Sequence, residues 1–210
     1  MTYQTPTYQT LAKAITARLE IKKSEFIAHA YPVNNREDAL FHVEQLRQDY
    51  PDARHHCWAY IIGDPSNTTS AGYDDDGEPS NTAGKPILNV LQHKDIGDVV
   101  VIVVRYFGGI KLGAGGLTRA YAGATQAVVD EAMAKNLLTP FVPMTTVQIA
   151  TDFANESQVR YVVDTVGGVI KDVAYGKQVT LTLSLPEPQL TVLAEKLSND
   201  GEIITRANTI

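Results

Sequence analysis

The sequence has little of what would fix its class at once. One residue in 210 is a cysteine, Cys57, which excludes an internal disulfide and any zinc site built on several cysteines. Positive charge is not in excess: 18 Lys+Arg against 24 Asp+Glu leave a net charge of −6. Composition therefore argues against a general polyanion binder, which is normally basic. Long apolar runs are missing as well. The longest pure Val/Ile stretch, Val99 to Val104, is far short of the roughly 20 residues that a membrane span needs. The first 20 residues contain Lys13, Arg18 and Glu20 and no apolar core of a leader peptide. The expectation is a cytoplasmic protein without membrane contact. What is present is ordinary globular material, 44% hydrophobic and 20% charged. A chain of this length buries roughly 70% of its unfolded surface.

The second part of the chain has the clearer periodicity. Thr145 to Ala150 alternates as a strand, and Asp152 or Asn155 is placed to cap a helix carrying Val159, Val162, Val163 and Val166. Two strands follow, Val169 to Tyr175 and Val179 to Leu185, joined at Gly176-Lys177. A second helix uses Leu190, Leu193 and Leu197, and Ile203 to Arg206 is a last strand. The order β-α-β-β-α-β predicts a ferredoxin-like unit. The segment Thr139-Pro140-Phe141-Val142-Pro143 suits a linker, because two prolines within four residues cannot sit inside a helix. Two domains are expected, 1–140 and 144–210, in the α+β class.

In the first part, Ala17 to Lys22 and Glu25 to Val33 read as neighbouring strands. A helix capped by Asn35, with Asp38 at its third position, carries Leu40, Val43, Leu46 and Tyr50 and stops at Pro51. His56 to Ile62 reads as a strand, Gly63 to Gly84 as a long polar segment, and Pro86 to Gln92 as a short helix. Val99 to Val104 is a strand buried on both faces, since it does not alternate. A helix from about Ala114 to Lys135 shows Leu117, Ala120, Tyr121, Ala124 and Val128 on one face.

Two segments depart from this pattern. Asp74-Asp75-Asp76-Gly77-Glu78 concentrates four acids in five residues, a self-repulsion that a cation, basic residues or backbone N–H groups must offset. An EF-hand fails: aligning Gly77 to its invariant glycine leaves Gly72 and Ala83 where carboxylates are required. The second segment, Arg105 to Arg119, joins the buried strand to a helix start through Gly108, Gly109, Gly113, Gly115 and Gly116. With Arg105, Lys111 and Arg119 and no acid between Asp98 and Asp130, it favours an anion at the helix N-terminus. It is neither a P-loop nor a dinucleotide fingerprint, because Thr118 stands at the third glycine position. The anion has two possible sources, an external ligand or the acidic loop itself. His55 and Cys57 share a strand face away from His56, which is packing rather than a Cys-His dyad. Tyr106 and Phe107 are either exposed protein anchors or buried under the loop.

The stretches DDDGEPSNTAGKPILNVL (74–91) and VVVIVVRYFGGIKLGAGGLTRAYAGA (99–124), with His56-Cys57-Trp58-Ala59-Tyr60, resemble the IMPACT/YigZ family across essentially the whole chain. One departure is Asn81, where that family usually has glycine. The resemblance implies an N-terminal β-α domain with the fold of the fourth domain of elongation factor G and of the GHMP kinases. It implies a ferredoxin-like C-terminal domain similar to that factor's last domain. The family's eukaryotic members act in translational control, binding the co-activator of an initiation-factor kinase through a further N-terminal domain.

Together these readings predict a non-catalytic binding protein associated with translation regulation, needing no metal or cofactor. Its partner would be the ribosome, RNA or a translation factor. Arg105, Gly108, Gly109, Lys111, Gly113, Gly115, Gly116 and Arg119 would meet phosphate. Asp75, Asp76, Gly77, Glu78, Pro79, Thr82, Gly84 and Lys85 would shape the edge of that site. An enzyme acting on a small phosphorylated or nucleotide substrate is one alternative, and a protein-interaction module is the other.

Overall fold

In the computed structural model, which describes residues 8–197 and 200–208, the chain divides between Phe141 and Val142. The first unit contains β1 (Gln9–Leu11), β2 (Ile15–Ile21), β3 (Ser24–Pro32), α1 (Arg36–Asp49), β4 (His55–Ile62), β5 (Ser70–Asp74), α2 (Gly84–His93), β6 (Val99–Tyr106), α3 (Ala114–Ala134) and β7 (Leu138–Pro140). Its main sheet runs β2-β3-β6-β4-β5, antiparallel throughout. Residues alternate across that sheet. Phe26, Cys57, Val101 and Val103 pack on Tyr121 and Ala124 of α3 and on Ile87 of α2. Tyr60, Val100 and Ile102 pack on the α1 residues Ala39, Val43 and Leu46. With both faces covered, Val99 to Val104 is buried along its whole length.

Local signals act where they were expected. The Asn35 side chain accepts from the Asp38 N–H at 2.8 Å and caps α1, a bond worth about 1 kcal/mol. β2 and β3 meet in a two-residue turn at Lys22-Lys23, both in the left-handed region at φ 47° and 64°, the geometry that matches strand twist. Three short strands were not expected. β5 lies inside the Gly63–Gly84 segment, pairing with β4 from Trp58↔Asp74 to Ile62↔Ser70. Leu138–Pro140 does not run as linker but forms β7, paired with β1 at the far end of the unit. β1 and β7 are set by each other from opposite ends of the unit's chain, β5 by the strand before it, and none is long enough to show an alternation of its own.

The second unit contains β8 (Met144–Thr151), α4 (Glu156–Thr165), β9 (Val169–Tyr175), β10 (Val179–Pro186), a 3-10 turn at Glu187–Gln189, α5 (Leu190–Leu197) and β11 (Glu202–Asn208). Its sheet order, β11-β8-β10-β9, places β10 between β8 and β9, the arrangement of a ferredoxin-like fold. Val147 and Ile149 of β8 and Leu181, Leu183 and Leu185 of β10 pack on Val159, Val162 and Val163 of α4 and Leu193 of α5. Asn155 stands at the start of α4, but its side chain makes no capping bond, and Asp152 instead accepts from Gln178 at 3.2 Å. The molecule is thus α+β with two units. No helix among the described residues is long and apolar enough to cross a membrane.

Candidate anion-binding site

The four acids of the 74–78 segment turn to different donors. Asp75 accepts from the N–H groups of Ala83 and Gly84, each at 2.9 Å, and of Asn81 at 2.6 Å. It caps α2, whose N-cap residue Ala83 has no side chain suited to that role. A carboxylate at a helix start also gains from the helix dipole, by about 0.3–1 kcal/mol. Asp76 accepts from the His56 N–H at 2.6 Å and from Arg47 at 3.0 Å, and Asp74 accepts from the Asp76 N–H at 2.6 Å. Asp76 and Gly77 have φ of 42° and 83°. Thr82 is buried and donates to the Pro79 carbonyl at 2.6 Å. Asn81 has φ 62°, the left-handed conformation that asparagine tolerates. Its side chain accepts from the Tyr73 hydroxyl at 3.0 Å, a contact glycine could not make. Among the described residues no cluster of His, Cys, Asp and Glu is arranged to hold a metal ion.

Glu78 reaches inward. It pairs with Arg105, the two side chains being 5% and 7% exposed, and accepts from the Tyr121 hydroxyl at 2.8 Å. The Cys57 Sγ lies 3.3 Å from the Tyr121 oxygen and 3.0 Å from the Asp75 carbonyl oxygen. Burial pushes both the Tyr121 hydroxyl and the Cys57 thiol well above their ordinary pKa values. The Arg105 guanidinium lies over the ring of Phe26, 5.4 Å from its centroid, and over that of Phe107, at 5.7 Å. For Arg105, then, the anion is the acidic loop. The expectation that it presents a free charge to phosphate is corrected: its charge is met from within.

The remaining charge of the corner is open. Lys111 and Arg119 are exposed, as are Arg54 before β4 and Lys85 at the start of α2. None of the four forms an ion pair among the described residues. Gly108 is fixed by packing: a Cβ there would lie 1.9 Å from the Lys23 carbonyl carbon, and its N–H donates to the Ser24 hydroxyl at 3.1 Å. Gly113 is the N-cap of α3 at φ 71°, with no side-chain cap and open space where a Cβ would stand. Gly109 lies in the loop between them. Gly115 and Gly116 form the first turn of α3, and the Arg119 side chain lies near Gly115.

A cavity of about 310 Å³ opens at this helix start, lined by Arg54, His55, Glu78, Pro79, Arg105, Phe107, Lys111, Leu112, Gly113, Ala114 and Leu117. The sheet register His55↔Arg105 brings β4 to it. His55 Nδ1 bonds the Asp76 carbonyl at 2.8 Å, which leaves Nε2 as the free ring nitrogen. Sequence reasoning missed Arg54 and treated His55 as packing. Tyr121 was read only as a core residue. No local motif marks Arg54 or His55, which the β4–β6 pairing brings there, and Tyr121 reaches Glu78 from α3. Tyr106 is half-buried while Phe107 is 54% exposed, so the loop does not cover Phe107.

A family model for the Impact N-terminal domain matches residues 22–129, and one for a domain of unknown function, DUF1949, matches 149–199. The chain is 35% identical to the IMPACT family member YigZ of Escherichia coli over 90% of both chains. It is 47% identical to an IMPACT family member of Haemophilus influenzae over 113 residues, 54% of this chain and 55% of that one. The match thus spans about half the length of that relative. A crystal structure described as a hypothetical protein superposes with a TM-score of 0.70 at 31% identity, covering 95% of this chain and 97% of the other. Both family models fall on the two structural units, and the chain belongs to the IMPACT family.

Proposed function

We propose that this protein is a cytoplasmic, non-catalytic binding protein of translation control that takes an anionic partner at the start of α3. One observation carries the reading. In a chain of net charge −6, Arg54, Lys111 and Arg119 have no carboxylate partner among the described residues and stand near a helix N-terminus without a side-chain cap. Unsatisfied N–H groups and the helix dipole favour an anion there. Phosphate polymers match such a patch, and translation supplies them as RNA. The family's eukaryotic members point to the same process. The test is binding of a labelled RNA across a salt series. Binding should weaken with salt, with a log–log slope of about −0.7 per single-strand phosphate contact. The Lys111→Glu/Arg119→Glu variant should remain folded and lose it. A folded double variant that binds like wild type would remove this surface from consideration.

A second reading, an enzyme acting on a small phosphorylated substrate, has one observation in its favour: His55 and Glu78 line the same cavity as the cations. It requires turnover of a phosphorylated compound that His55→Ala abolishes.

A further inference from the structure

We infer that the cavity at the start of α3 is a site for one nucleoside monophosphate unit, with the phosphate monoester at the helix N-terminus and the base against Phe107. The inference deepens the anion-binding reading above and rests on it.

Size is the first consideration. About 310 Å³ lies at the lower end of small-molecule sites. That suits a single nucleotide rather than several successive units of a chain. The wall is also divided in chemistry. Gly113, Ala114, Lys111, Arg54 and His55 supply the polar end. The first helical bond of α3 runs from the Leu117 N–H to the Gly113 carbonyl, so the N–H groups of residues 114–116 have no acceptor within the helix. Two cations in the lining with no ion pair among the described residues, Arg54 and Lys111, match the nearly dianionic charge of a phosphate monoester better than the single charge of a diester. His55 donates its Nδ1–H to the Asp76 carbonyl, so Nε2 of the neutral ring is an acceptor, suited to a ribose hydroxyl rather than to a phosphate oxygen.

A second observation is independent of the helix. Arg105 lines this cavity with its side chain 7% exposed and its charge met by Glu78, so it holds the wall in place rather than offering a free charge. At the apolar end, Phe107 is 54% exposed, with the Arg105 guanidinium 5.7 Å from its ring centroid. A ring held in this way and open to the cavity is a stacking platform for a base.

The monophosphate unit has two sources, a free nucleotide or the terminal nucleotide of an RNA. Calorimetry on the whole chain compares AMP, adenosine and inorganic phosphate. Fluorescence anisotropy compares one short RNA with a 5′-phosphate, with a 5′-hydroxyl and with a 3′-phosphate. AMP is expected to bind about tenfold or more tighter than either fragment, the range base stacking supplies. Phe107→Ala should remove that advantage and leave inorganic phosphate binding unchanged. Arg54→Ala should weaken both. A preference for one phosphorylated RNA end assigns the site to chain ends, and AMP binding without such a preference assigns it to free nucleotides. Failure of AMP to outbind inorganic phosphate, or a Phe107→Ala variant that binds AMP like wild type, overturns the inference. If RNA binding is still lost in Lys111→Glu/Arg119→Glu, the anion-binding reading survives alone. If AMP binds and RNA does not, the macromolecular partner is what fails.

Discussion

Replacing Glu78 by glutamine should destabilise the first unit far more than a surface change does. The substitution keeps the shape of the side chain and an oxygen for the Tyr121 hydroxyl, and removes only the charge. Arg105 is then left as a cation in a side chain 7% exposed. Removing one partner of a buried pair costs about 3–5 kcal/mol, because the other charge stays desolvated. The faces of Phe26 and Phe107, at 5.4 and 5.7 Å, offset about 0.5–1 kcal/mol each. The expected loss is therefore about 1–4 kcal/mol, or roughly 10 °C in Tm at the middle of that range for a unit of this size. Trp58 is the sole tryptophan and lies on β4, so its fluorescence in urea reports this unit selectively. Glu78→Leu with Arg105→Met should recover most of the loss, since apolar replacement of both partners is often neutral. A Glu78→Gln variant less than about 1 kcal/mol below wild type would match an exposed pair and refute the description of a buried one.

Three further outcomes follow from the same unit. Burial lowers the His29 pKa to about 4, so the folded state disfavours its charged form. Stability is then full above the unfolded value near 6.5 and falls as pH drops from there through about 4. The loss is on the order of 3 kcal/mol, and urea titrations of His29→Gln should show a flatter profile over that window than wild type. Cys57 is buried and its thiol is raised well above the ordinary range; thiol reagents should label it only as fast as the unit unfolds, and rapid native-state labelling would contradict its placement. Gly108→Ala puts a methyl group against the Lys23 backbone and should cost about 2 kcal/mol or more, whereas wild-type stability by thermal melt would show that the corner does not press on the β2–β3 turn.

Much of this architecture is legible in the residues. The ferredoxin-like unit can be read almost whole, because β8 and β10 alternate strictly and the valines of α4 share one helical face. Asn35 signals α1 by a local bond that needs no tertiary context. β1, β5 and β7 are not legible, being three to five residues long, with β1 and β7 paired to each other from far apart in the chain and β5 lying in a polar, Gly- and Ser-rich segment. The site divides in the same way. The opposite charges of the acidic loop and the Gly-rich corner suggest that the two meet, and Glu78 with Arg105 is that meeting. Which basic residue is consumed internally and which stays free depends on depth in the fold, and no spacing encodes it. Arg54 and His55 enter through the pairing of β4 with β6, a register fixed by the whole sheet.

We propose above that the exposed cations at the start of α3 serve the translation machinery. The most direct test is co-sedimentation with ribosomes at low and at physiological salt, wild type beside Lys111→Glu/Arg119→Glu. Wild-type protein is expected in the ribosomal pellet, less of it at the higher salt, and the folded double variant in the supernatant. Absence of wild type from the pellet at both salts, or equal pelleting of the double variant, would contradict it.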